Sequence, residues 1–86
     1  MLLARVVGTA TATVRHRSLA GWKLLVVQPL AADERSPDGD PLLAIDAQGA
    51  GRGDVVMISS DGRGTREMVG DETTPIRWSV LGIRDR

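Results

Sequence analysis

The sequence predicts an all-β chain with one short helix, a five-stranded OB-like β-barrel. β-Branched and apolar residues recur with a period of two or in short continuous runs, and clusters of Gly, Pro and Asp punctuate those runs. One window late in the chain carries helix start and stop signals. Five short strands with a single small helix late in the order fit a small closed barrel. At 86 residues the chain fits one domain spanning 1–86. A domain of this size buries only roughly 60 to 65% of the surface its unfolded chain exposes. There is no Cys, so no disulfide or thiolate-metal site compensates, and self-association becomes an expected source of burial.

The first strand is read over residues 6–14, where even positions give Val, Gly, Ala, Ala, Val and the odd positions between Arg5 and Arg15 give Val, Thr, Thr, Thr. Gly8 within it predicts a bend or bulge. After "HRSLAG", the stretch "WKLLVVQPL" (22–30) predicts a second strand, and its unbroken apolar run implies burial on both faces. Pro29 cannot donate to a ladder, which puts that end of the strand at an edge or bulge. "AADERSPDGDP" (31–41) reads as a polar hairpin loop with Pro-Asp-Gly supplying turn geometry. "LLAID" (42–46) and "VVMIS" (55–59) follow as strands three and four, "DGRGTREMVG" (61–70) as one or two helical turns ending at Gly70, and "PIRWSVLGI" (75–83) as the last strand. In that last strand Ile76, Trp78 and Val80 are expected inward and Arg77 and Ser79 outward. No internal repeat or second domain is evident.

Eleven Lys plus Arg balance eleven Asp plus Glu, which removes the long-range field that draws nucleic acid or anionic membrane to a basic protein. Lys23 is the one Lys, and every other cation is Arg, whose planar fork suits fixed interface contacts. "MLLARVVGTATATV" lacks the layout of a signal peptide, and no apolar run approaches bilayer length. The expectation is a soluble, cytoplasmic chain.

Candidate chemistry is sparse. The glycines of "DAQGAGRGDVVMISSDG" have the wrong spacing for a dinucleotide fingerprint and lead into a strand rather than a substantial helix, and no Gly-Lys-Ser/Thr follows. They read instead as a turn that tolerates positive φ and close backbone approach. The Arg-Gly-Asp at 52–54 reads as a chance match. His16 is the lone histidine and has no partner at a catalytic spacing, so it reads as a solvated turn residue. Asp46, Asp54 and Asp61 match no calcium loop and read as turn formers. An OB-like barrel raises single-stranded nucleic-acid binding as the alternative function, but stacking needs aromatic side chains and this chain has only Trp22 and Trp78.

With the strands placed, the whole chain resembles the EutN/CcmL family, the pentameric vertex proteins of bacterial microcompartment shells. The resemblance is carried by "ARVVGTATATVRH" (4–16), "SLAGWKLLVVQPL" (18–30), "AIDAQGAGRGDVVMISS" (44–60), Arg66 and "LGIRD" (81–85). It implies a homopentamer capping the corners of a shell tiled by hexameric and trimeric proteins, of carboxysome or catabolic type. It also implies a structural role with no catalytic site, no cofactor and no metal. Gly49, Ala50, Gly51, Gly53 and Asp54 match the family's G-A-G-x-G-D/E motif. The resemblance makes this a docking edge whose small residues expose backbone groups to the next subunit or to an adjacent hexamer. Arg66 is retained from a Ser-Ser-Ala-Arg-like stretch that is otherwise replaced by "GRGTRE". Trp78 is bulkier than the family's usual last strand and is set either against another subunit or in the barrel core.

Overall fold

The structure, a computed structural model, describes residues 2–10, 21–70 and 76–84. Among these, the elements run β1 (Leu2–Ala10), β2 (Lys23–Pro29), β3 (Leu42–Asp46), β4 (Val55–Ser59), α1 (Gly62–Val69) and β5 (Trp78–Ile83). The strands close into a barrel in the order β1-β2-β3-β5-β4, with β4 returning to β1. The β3–β5 pair is parallel and all other pairs are antiparallel. The five-stranded barrel with one short helix therefore stands as expected.

Strand β1 begins earlier than its alternation indicates, because Leu2, Leu3 and Ala4 form an apolar run that hides the period. Leu2 to Arg5 nevertheless pair with β4. Residues 11–14 of the expected strand, and His16, lie outside the described residues. The bulge predicted at Gly8 is present: the register with β2 shifts between Val6 and Gly8. That shift reverses which face the strand presents. Ala4 and Val6 enter the barrel core, whereas Ala10 packs on a second cluster outside it.

Two clusters divide the apolar residues. Val6, Leu25, Val27, Val56, Ile58 and Val80 form the interior of the barrel, each contributing roughly 1.5–3 kcal/mol by its removal from water. Leu24, Ile45 and Ile76 form the second cluster, covered by Trp22 and by Met68 and Val69 of α1. Leu24 and Leu25 are adjacent and both buried, so β2 is apolar on two faces as its sequence implies. Pro29 ends β2, where its missing N–H costs the ladder nothing further, and Leu30 resumes the bonding to the Leu3 carbonyl at 2.9 Å.

Helix α1 is short but capped at both ends. Asp61 accepts from the Arg63 amide at 3.1 Å, and Gly70 takes a left-handed conformation at φ 71 while its N–H donates to the Arg66 carbonyl. The wholly buried Thr65 ties the helix to the strand that follows, donating from Oγ1 to the Arg77 carbonyl at 3.2 Å. Two expectations are corrected at the last strand: Ile76 precedes β5 and is buried in the second cluster, not in the barrel interior, and Ser79 is buried, 5% exposed, beside the buried Val80. Ser79 lies opposite Ile45 of the second cluster while Trp78 and Val80 face the barrel core, so the alternation holds and the outer face is itself covered.

Candidate functional site

The glycine-rich loop joins β3 to β4, and its shape begins with the last residue of β3. Asp46 is buried, and its carboxylate accepts from the Gln48 amide at 2.7 Å and the Ala50 amide at 2.8 Å. Lys23, directly opposite Asp46 in the β2–β3 register, places its Nζ 3.5 Å from Oδ2 and also donates to the Ala50 carbonyl. A buried carboxylate is tolerated only when its lone pairs are filled, and here two amides and an ammonium fill them.

The far end of the loop is fixed by a second carboxylate. Asp54 Oδ2 accepts from the Gly51 amide at 2.8 Å, and the Asp54 amide donates to the Gly51 carbonyl at 3.0 Å. The Gly53 amide donates to the Val6 carbonyl, and the Val6 amide donates to the Asp54 carbonyl, both at 2.9 Å. These bonds tie the loop to the bulged part of β1.

Between the two clamps the glycines serve different ends. Gly49 (φ 84) and Gly53 (φ 91) occupy the left-handed region, where a side chain is strained. A Cβ at either would meet nothing within 4 Å inside the chain, so backbone conformation requires these glycines and internal crowding does not. Ala50 is fully buried and belongs to the barrel core. This corrects part of the sequence reading, which has the loop's small residues exposing backbone groups to a neighbour. The amides of Gln48, Ala50, Gly51, Gly53 and Asp54 all have partners within the subunit. What the loop presents outward is a low surface at Gly49 and Gly53 with Arg52 exposed between them.

Five of the seven residues singled out from the sequence thus share one loop. Trp78, half-buried, packs against the same core cluster that contains Ala50. Arg66 lies in α1 with its guanidinium over the backbone of Gly62, Nη1 falling 3.3 Å from where a Cβ would stand. Lys23 and the clamping role of Asp46 escaped the sequence reading. The signal for Asp46 was a carboxylate placed between an apolar strand and a glycine run, an Asx-turn pattern. Asp46, Asp54 and Asp61 each bind local amides in separate turns, as their reading as turn formers requires.

The nucleic-acid alternative gains no support from this geometry. Trp22 and Trp78 are both half-buried and packed on apolar clusters, not aligned along a groove. Among the described residues, no helix is long and apolar enough to cross a membrane.

Comparison with known proteins places this loop and barrel in a family. Residues 1–85 match the family described as ethanolamine utilisation protein EutN/carboxysome. The bacterial microcompartment shell vertex protein GrpN of Rhodospirillum rubrum is 39% identical over 85 residues, covering 99% of this chain and 93% of that protein. The shell vertex protein EutN of Salmonella typhimurium is 42% identical over 85 residues, covering 99% and 84%. Among solved structures, the GrpN pentameric microcompartment shell protein from Rhodospirillum rubrum superposes with a TM-score of 0.78 at 35% identity, covering 100% of this chain and 95% of that one. Sequence and fold agree over essentially the whole length, and the chain belongs to the EutN/CcmL family of microcompartment shell vertex proteins.

Proposed function

We propose that this chain is a structural shell protein, five copies of which close into a ring that caps the vertices of a cytoplasmic bacterial microcompartment. The full-length match to a pentameric shell protein carries this reading. Its physical basis is the small size of the barrel. A core of short aliphatic side chains with no disulfide gains burial from neighbouring copies.

In this reading the loop at 47–54 docks against the surrounding hexameric and trimeric tiles. Five of its backbone amides are satisfied internally, so it arrives at the contact already ordered and loses little conformational freedom there. Gly49 and Gly53 let a tile approach closely, and Arg52 offers a planar cation for a carboxylate or carbonyl on that tile. The chain carries out no reaction, takes no cofactor and binds neither nucleic acid nor membrane. Co-expression with shell hexamers and trimers tests the reading by electron microscopy. Closed particles with density at each vertex are expected when the chain is present, and open vertices when it is left out. Vertices that stay empty in its presence contradict the assignment.

A further inference from the structure

Among the described residues, the large apolar side chains left exposed are Leu2, Val7, Leu43, Met57 and Leu81. Strand register sorts most of them into two surfaces. On the first, Leu3 lies opposite Met57, and Met57 lies opposite Gly82, next to Leu81. These residues line a groove of about 360 Å³ outside β1, β4 and β5, with the ion pair between Arg84 Nη1 and Glu34 Oε2, at 3.3 Å, among its lining groups. On the second surface, Gly8 lies opposite Val26, and Val26 opposite Leu43, in a row across β1, β2 and β3. The bulge adds Val7 to this row, 41% exposed, as a projecting side chain. The groove is centred on β4 and the ridge on β2, strands that are not neighbours in the barrel.

We propose that the groove around Met57 receives the Val7–Val26–Leu43 ridge of the next copy of this chain. The inference rests on the fivefold reading above and adds the surfaces that build it. A ring of five cannot be made from one self-complementary patch, because each subunit must meet its two neighbours through different surfaces. A chain that forms such a ring therefore carries two unlike patches on different sides. The exposed apolar residues here supply such a pair, one a groove and the other a row carrying the exposed Val7 and Leu43. The groove is lined by Leu3, Leu81 and Ile83 around the adaptable Met57, and the facing row is led by stiff β-branched Val7 and Val26. Glu34 and Arg84 beside the groove, and Arg5 and Gln28 facing each other on the strands that bear the ridge, give a polar rim around an apolar centre.

The absence of native Cys makes the test clean. Met57→Cys and Leu43→Cys are made singly and together, and the purified proteins are treated with a short bis-maleimide. The double variant is expected to give a covalent ladder ending at five chains. Each single variant alone should give no cross-link, and the two singles reassembled together should give covalent pairs. A double variant that is pentameric by native mass but fails to cross-link overturns this pairing of surfaces and leaves the ring intact. So does a pentameric single variant that cross-links to itself. A wild-type chain that forms no five-copy species overturns the fivefold reading, and this inference with it. As a second readout, Met57→Glu at this exposed site should keep its β-sheet circular dichroism yet lose pentamer at least tenfold at a given concentration. Unchanged assembly in that variant also counts against the proposal.

Discussion

The Nζ of Lys23 stands 3.5 Å from Oδ2 of Asp46, across the β2–β3 pair, and joins a half-exposed cation to a carboxylate whose side chain is completely buried. Through Asp46 the pair controls the amides of Gln48 and Ala50, so a strand-end ion pair sets the start of the glycine-rich loop. The two partners are not equivalent. Removing the carboxylate strands two amides, while the half-exposed ammonium keeps the Ala50 carbonyl; removing the ammonium leaves the carboxylate with both amide donors.

Asp46→Ala is accordingly expected to cost about 2–4 kcal/mol, and Lys23→Met about 1–2 kcal/mol. Urea unfolding followed by circular dichroism measures both. Equal losses for the two variants would remove the asymmetry on which this account of the loop depends.

Gly51 differs from the flanking glycines because its φ is not in the left-handed region and an added Cβ would stand 3.9 Å from Asp54 Oδ2, an ordinary contact. Gly51→Ala should therefore fold with a change below about 1 kcal/mol. Gly51→Glu places a second carboxylate beside Asp54, a repulsion of about 1 kcal/mol in a water-like dielectric, and puts bulk on the proposed docking edge. The expected result is a folded barrel whose shells close at a reduced frequency. Wild-type vertex occupancy with Gly51→Glu would separate this loop from docking.

The helix offers a sharper stability test. Asp61→Ala removes the N-cap acceptor and should cost about 1 kcal/mol, and Gly70→Ala forces a Cβ into the left-handed region for a similar loss. Thr65→Val keeps the shape but strands the Arg77 carbonyl, for a loss of about 1–2 kcal/mol. Chemical denaturation of the three variants checks these values. Because α1 covers Leu24 and Ile45, hydrogen exchange should show increased opening along β2 and β3 in all three.

Asp33 organises the turn after β2. Its carboxyl titrates at about 2 instead of 3.8, held down first by the hydroxyl of Ser36 and then by the amides of Ser36 and Arg35. A folded value below the unfolded one means that this contribution to stability is complete above about pH 4 and is lost as pH falls through about 2. Carboxyl carbon shifts followed by NMR should give a midpoint near 2 for Asp33. In Ser36→Ala that midpoint should move upward, towards the ordinary value. A wild-type midpoint near 4 would contradict the turn geometry.

Much of this architecture was legible because local signals agreed with it. β3 and β4 fall on the residues their composition marks, and Gly70 ends the helix as its position implies. Gly8 marks a real bulge, in which Val7 is the unpaired residue. The failures have non-local causes. Ser79 is buried because it lies opposite Ile45, on the face that the second cluster and α1 cover, which no period within β5 reveals. The Lys23–Asp46 clamp depends on β2–β3 register across an intervening loop, and the groove at Met57 draws on three strands that only closure of the barrel brings together. The glycine motif is legible in the sequence, but the partners of the loop's amides are not, because those of Gln48 and Ala50 bond to a strand-end carboxylate and that of Gly53 to β1.

The central claim is that this barrel completes its burial in a ring of five. Native mass spectrometry of the purified wild-type chain at micromolar concentration tests it most directly. The account predicts a dominant species at five times the chain mass, and a stable monomer or a closed assembly of any other number would contradict it.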